Sequence, residues 1–315
     1  MSEAAQPEAA QPDTALPPAR SVVITGASRG LGFASAARLY AAGWRVVAAM
    51  RSPDAGLERL RAVTGAAPGD PRLTAVSLDL VDPDSIASAG RAIIEAAGPP
   101  DVVVHNAAYV TVGCVEEVPD HLAERIFATN VIGPIRLTKE ILPAMRLAGR
   151  GRIVVVSSVG GIRGMPATSL YSATKGAIER WAEALAQEIA PFGLGVTVLT
   201  TGTFRTDVYD ESYTQSHADR QGPYAPHHAA LDRAGERVIR SAKPPEQFAV
   251  ALEKALGKDA PFVRQAIGSE ARVMLMASRL LPASAFHSLT RAATGLPRPR
   301  ALRPERDPAT PSRSD

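Results

Sequence analysis

SVVITGASRGLG, residues 21–32, is the stretch whose reading decides the fold of this chain. Its first five residues make a short, β-branched run that predicts a buried strand. Glycines at 26, 30 and 32 follow at once, and residues 31–42 then carry helix-period apolar positions. Strand, glycine turn and helix together are the context in which a glycine fingerprint holds a dinucleotide. Glycine permits the tight turn and lets a pyrophosphate approach the backbone, where the helix N-terminus favours its charge. A glycine-rich connection with no ligand is the plainer alternative, and the flanking strand and helix weigh against it.

Working outward, the alternation continues. Residues 44–50 (WRVVAAM), 73–78, 101–105 (DVVVH), 152–157 (RIVVVS) and 195–199 read as further strands. Helical stretches lie between them; one starts near Pro83, a good first-turn residue, another follows Val118 and a third covers 170–190. Apolar strands alternating with helices predict an α/β, doubly wound Rossmann fold with a parallel sheet covered on both faces. After Thr206 the pattern lapses. Residues about 207–235 are polar and contain Pro223 and Pro226, which predicts a long loop or pair of short helices closing over a substrate. Helical periodicity returns at 245–256, and 261–267 reads as a last strand, bringing the sheet to about seven. An apolar helical piece over 271–281 stops at Pro282 and a weaker one runs to about 289, a helical cap over about 270–290.

Composition bounds the rest. With 45% hydrophobic and 21% charged residues the chain falls in the soluble globular class. Residues 1–19 (Ala, Pro, Gln and acid) and 296–315 (Pro and Arg) are expected to be disordered tails, leaving one domain over 20–295. A single cysteine, Cys114, excludes an internal disulfide and any thiolate metal cluster and suits a reducing, cytoplasmic setting. It reads as a small packing residue. A net charge of +3 is too small and dispersed for nucleic acid. No apolar run is long enough for a transmembrane segment, and Glu3, Glu8 and Asp13 argue against a secretory signal.

Two arginines bear on the cofactor. An acidic residue after the second strand would hold the ribose diol and repel a 2′-phosphate. Arg51 stands there instead, and Arg29 sits inside the glycine turn. Paired guanidiniums suit a phosphate, so NADP(H) is expected over NAD(H). Asp79, after the third strand, is a natural acceptor for the adenine amino group or else a helix cap.

Tyr171 and Lys175 are one helical turn apart and share a face. A free phenol is a poor acid–base group at neutral pH; a neighbouring ammonium stabilises its phenolate. Thirteen residues before the tyrosine, Ser158 ends the fifth strand and can hydrogen-bond a reacting oxygen. A surface helix pair is the bland reading of the same spacing. Side-chain alternation puts Ser157, the competing serine, on the opposite face.

In TGASRGLG (25–32), LDLVD (78–82), HNAA (105–108), ATNVIG (128–133), SSVGG (157–161) and YSATK (171–175), taken in order, the chain resembles a short-chain dehydrogenase/reductase. The resemblance covers roughly 20–270. It implies Tyr171 as proton donor or acceptor, Ser158 as orienter of the substrate oxygen and Lys175 as ribose ligand and tuner of the tyrosine. Asn130 would hold a water linking Lys175 to solvent. Cofactor contacts would come from Gly26, Ser28, Arg29, Gly30, Leu31 and Gly32 in the turn, then Arg51, Asp79, Leu80, Asn106 and Ala107. Gly202, Thr203 and Thr206 would complete the set near the pyrophosphate or carboxamide. The reaction implied is interconversion of a carbonyl and an alcohol by hydride transfer, in a homodimer or homotetramer. A softer likeness to hydroxysteroid and retinol dehydrogenase-like members rests on Arg51, SSVGG, residues 183–199 and the KPPE run at 243–246.

The chain departs from the family pattern at His105 and Ala108, where Asn and Gly are usual, and at Thr201, which replaces a proline. The rivals are a non-catalytic NADP(H)-binding regulator or scaffold and, less close, a sugar-nucleotide epimerase or dehydratase. No metal site is expected: His217, His227 and His228 read as a solvated loop without cysteine or carboxylate partners at metal spacing. The run 273–281 reads as packed over the substrate pocket or core, with a membrane surface or a subunit contact as the alternatives.

Overall fold

The computed structural model describes residues 19–206 and 216–302. Seven parallel strands form one sheet in the order β3-β2-β1-β4-β5-β6-β7. They are β1 Ser21–Thr25, β2 Arg45–Met50, β3 Leu73–Ser77, β4 Val102–His105, β5 Gly151–Ser158, β6 Leu194–Thr201 and β7 Phe262–Ile267. The chain winds outward from β1 to β3, then returns to lay β4 against the other side of β1, Val22 opposite Val102. That reversal opens a crevice at the carboxyl ends of β1 and β4, where ligands bind in sheets of this kind.

Successive residues of a strand face opposite sides of the sheet, so each strand feeds two cores. Val22 and Ile24 pack with Leu39, Trp44, Phe248 and Leu252. Val23 points the other way, towards Ile93, Leu137, Ile141 and Ile178. The first layer is roofed by α1 Gly30–Ala41 and α9 Pro245–Leu256. The second is roofed by α3 Pro83–Ala97, α5 Gly133–Ala148 and α7 Ser169–Ile189. Local signals set the ends of these helices. Asp82 caps α3 by accepting the Asp84 N–H at 3.0 Å, with Pro83 in the first turn and Gly98 beyond the last. Helix α2, Pro53–Thr64, likewise opens on proline and closes on Gly65 in the left-handed region.

The second half departs from expectation in its helices. Residues 207–215 of the expected substrate loop lie outside the described residues. Of the remainder, most belongs to α8, Ala225–Ser241, a single 17-residue helix. Pro226 sits in its first turn, where no backbone N–H is needed, and so starts one helix where a long loop or a pair of short helices was expected. Helices α10 Ser269–Leu280 and α11 Ala283–Thr294 follow β7. Helix α10 buries Ala271 and half-buries Met274 and Leu275 but leaves Val273, Met276 and Leu280 exposed, so only part of this apolar run packs down. Of the two expected tails, 1–18 and 303–315 lie outside the described residues; in 296–302 the Pro297 carbonyl accepts a bond from Arg291.

Candidate active site

Loops at the carboxyl ends of the central strands enclose a cavity of about 600 Å³. Its nucleotide wall is the β1–α1 turn. Gly26 has φ +68°, and a Cβ there would stand 2.9 Å from the Ala107 Cα. A Cβ on Gly32 would stand 2.3 Å from the Gly26 carbonyl oxygen, so this glycine lies behind the wall as a packing residue. Ser28, Arg29, Gly30 and Leu31 line the cavity, and the N-cap Arg29 makes no side-chain cap bond. The opening turn of α1 therefore offers backbone donors suited to an anion. This helix start on the cavity wall fits a dinucleotide pyrophosphate.

Behind the turn, Thr25 Oγ1 accepts the N–H groups of Asn106 and Ala107, each at 3.1 Å. The Asn106 amide donates to Thr25 O at 2.9 Å. Asn106 thus clamps the turn to the end of β4. Arg51, at the end of β2, lines the cavity with Arg29, Asp79 and Leu80. Asp79 accepts the Val81 N–H at 3.0 Å, and the cap of α3 is Asp82 rather than Asp79.

On the far side of the crevice, Ser157 and Ser158 separate as strand alternation requires. Ser157 Oγ donates to Glu179 Oε1 at 2.6 Å and is 1% exposed. Ser158 Oγ accepts the Gly160 N–H at 3.2 Å, on the cavity wall where β5 passes into the short helix α6, Val159–Ile162. Tyr171 and Lys175 reach the same cavity from the first half of α7, with Lys175 Nζ 5.6 Å from the tyrosine ring centroid. Lys175 Nζ donates to Val156 O at 2.8 Å. Burial lowers its pKa to about 8, against an upward pull from the Glu179 carboxylate. Glu179 is itself held by Arg264 of β7 at 2.9 Å.

Asn130 lies in a π-helical turn, Ala128–Ile132, between α4 (Asp120–Phe127) and α5. Its Oδ1 accepts the Tyr109 N–H at 2.7 Å; its Nδ2 donates to Tyr109 O at 2.8 Å and Thr174 Oγ1 at 3.0 Å. That amide is fully engaged and does not reach the cavity wall. Gly202, Thr203 and Thr206 do line the cavity.

The departures find partners. Buried His105, its pKa lowered to about 4 by desolvation, lies with Nε2 2.8 Å from Thr138 Oγ1. Thr201 Oγ1 donates to Ser157 O at 2.7 Å, and the Ala108 methyl lines the cavity.

Sequence reading missed three contributors. Glu270 of α10 reaches back to accept the Thr203 N–H at 3.2 Å, a contact with no local signal. Glu179 was visible only as the next turn of the Tyr171–Lys175 helix. The third is His228, read as part of a solvated loop. It is 3% exposed on α8, with Nε2 2.8 Å from Glu117 Oε1. Cys114, Glu117 and His228 bring ligand-type atoms within 4.8 Å of one another, contrary to the expectation for His228 that no cysteine or carboxylate stands near it. The group is closed by hydrogen bonds, since Glu117 also accepts the N–H groups of Cys114 and Asp219. Partial burial pushes the Glu117 pKa up, but bonds from His228 and those two N–H groups bring it below the usual carboxylate value. Among the described residues no helix is long and apolar enough to cross a membrane.

Residues 20–217 match the short chain dehydrogenase family. The chain is 32% identical over 270 residues to a Bacillus subtilis (strain 168) protein named uncharacterized oxidoreductase YusZ, covering 85% of this chain and 95% of the relative. It is 29% identical to 3-ketodihydrosphingosine reductase of Bacteroides thetaiotaomicron, covering 82% and 91%. The crystal structure of a short-chain dehydrogenase from Streptomyces avermitilis superposes with a TM-score of 0.73 at 32% identity, covering 88% and 97%. The chain belongs to the short-chain dehydrogenase/reductase family and is an oxidoreductase acting between CH–OH and carbonyl groups with NAD(P).

Proposed function

We propose that this protein interconverts a fairly apolar ketone or aldehyde and its alcohol, using NADP(H) in preference to NAD(H). The observation that carries the reading is the convergence of Ser158, Tyr171 and Lys175 on one cavity whose opposite wall is the glycine turn. The nicotinamide, when bound, supplies or accepts the hydride; the remaining work falls to the side chains. Ser158 Oγ hydrogen-bonds the substrate oxygen and sets its position. Tyr171 gives its phenolic proton to that oxygen during reduction and takes it back during oxidation. The Lys175 ammonium stabilises the phenolate left behind. Because the Asn130 amide is committed to Tyr109 and Thr174, any water that it holds for proton exchange sits on its main-chain carbonyl, in the π-helical turn.

The cofactor preference rests on Arg29 and Arg51, which share the rim with Asp79 and suit a 2′-phosphate through charge-assisted bonds. The name of the Bacteroides relative, a ketone reductase, supports reduction. A cytoplasmic homodimer or homotetramer with a single catalytic domain over 20–295 completes the reading, on the resemblance alone.

Replacing Tyr171 by Phe tests it. Turnover of any carbonyl accepted by the wild type should fall by about 10²–10⁴, while the NADPH dissociation constant stays within about twofold. Retained turnover would remove the mechanism, and equal wild-type use of NADH and NADPH would remove the cofactor assignment.

A further inference from the structure

Beneath α8 a second cavity, of about 170 Å³, adjoins the main one. The two share six wall residues: Val110, Pro166, Thr168, Leu231, Gly235 and Val238. They are compartments of one space. Leu231, Gly235 and Val238 fall on one face of α8, which therefore roofs both compartments. Gly235 leaves the middle of that face without a side chain, where the compartments meet. Val112 and Ile239 line the second compartment alone. Backbone bonds hold its walls: the Gly113 N–H to Ala167 O at 2.9 Å and the His217 N–H to Val112 O at 2.8 Å. The charged groups that line it are partnered, Arg220 with Asp232 and His228 with Glu117.

We propose that this side compartment receives the uncharged aliphatic tail of an unbranched carbonyl substrate whose reacting carbon lies against Ser158 and Tyr171. The inference rests on the carbonyl–alcohol reading above and adds a substrate class to it. The aliphatic groups Val110, Val112, Leu231, Val238 and Ile239 reward methylenes, and the polar side chains among them, Thr168, Ser216, Arg220, His228 and Asp232, already hold partners within the protein. A substrate with a carboxylate or phosphate at its far end is disfavoured, because each cation among the described lining residues already has its counter-charge. The shared walls make the path from the reacting carbon to the compartment continuous.

The experiment is NADPH oxidation with a homologous series of unbranched methyl ketones, from butanone upward. The value of kcat/KM should climb about fourfold per methylene until the compartment is full, and then level off. Val112→Phe and Ile239→Phe fill the compartment from separate walls, so one variant suffices if the other fails to fold. Each should lower the ratio of long-chain to short-chain kcat/KM by about tenfold or more. A flat wild-type series, or an unchanged ratio in a folded variant, overturns the inference. If the wild type turns over no ketone of any length, the carbonyl–alcohol reading fails by itself. Calorimetric binding of unreactive fatty amides of increasing length then judges the compartment separately. Affinity that rises with length in the wild type and not in the variants supports it, and length-independent affinity overturns it.

Discussion

Gly26 and Ala167 stand on different walls of the same space, and both hold the left-handed backbone, at φ +68° and +56°. On the nucleotide wall the position is a glycine because a Cβ would meet the Ala107 backbone at 2.9 Å. On the substrate wall an alanine endures the same conformation. Its carbonyl accepts the Gly113 N–H, and its neighbour Thr168 opens α7. A left-handed alanine costs about 1–2 kcal/mol, which the surrounding packing must offset. The difference teaches which turn is fixed by contact with its own chain. The Ala107 backbone leaves no room for a methyl at Gly26, whereas the substrate wall keeps side chains that shape a pocket.

Gly26→Ala breaks the comparison most severely. Left-handed strain adds to overpacking of about 1–3 kcal/mol, so denaturant unfolding should show a loss of about 2–5 kcal/mol. NADPH affinity should weaken by about tenfold or more. A loss below about 1 kcal/mol would mean that the turn relaxes and that its glycine is not required by contact.

A smaller effect is expected between the two walls, at Lys175. Its pKa is lowered from 10.5 to about 8, so the ammonium is lost as pH rises through that value. Reduction that depends on the cation should fall along the same limb. Stability has the opposite sign: between about 8 and 10.5 the unfolded chain holds more protons, so this lysine's burial penalty shrinks as pH rises. Glu179→Gln removes the carboxylate that pulls the pKa up, and the alkaline limb should move to lower pH. A limb that stays in place would show that Glu179 only packs.

Ala167→Gly should have the smallest effect. Relief of strain and the added entropy of the unfolded chain nearly cancel, leaving stability within about 0.5 kcal/mol. A loss above about 1.5 kcal/mol would show that the buried methyl, rather than the backbone, sets this turn.

The two walls also differ in how far the sequence disclosed them. The nucleotide wall is local: strand, glycines and helix are contiguous in 21–41, so period and turn chemistry suffice. Ser158 and the Tyr171–Lys175 pair were legible for the same reason, each being a strand end or one helical turn. The substrate wall is assembled from segments far apart in the chain. His228 meets Glu117 across 111 positions, and Glu270 meets Thr203 across 67. No periodicity announces such pairs. Pro226 misled because a proline interrupts a helix or opens it depending on which turn it occupies. The exposed stripe of α10 misled because helical period identifies an apolar face without naming what it touches.

The chain Ser157–Glu179–Arg264 has one more consequence. Arg264 lies on β7, the outermost strand, and also pairs with the partly exposed Glu183 at 2.7 Å. The buried Glu179 carboxylate, one turn beyond Lys175, is therefore wired to the rim of the sheet. Ions or a docking surface that drew Glu183 away would alter the charge felt at the centre without touching the pocket.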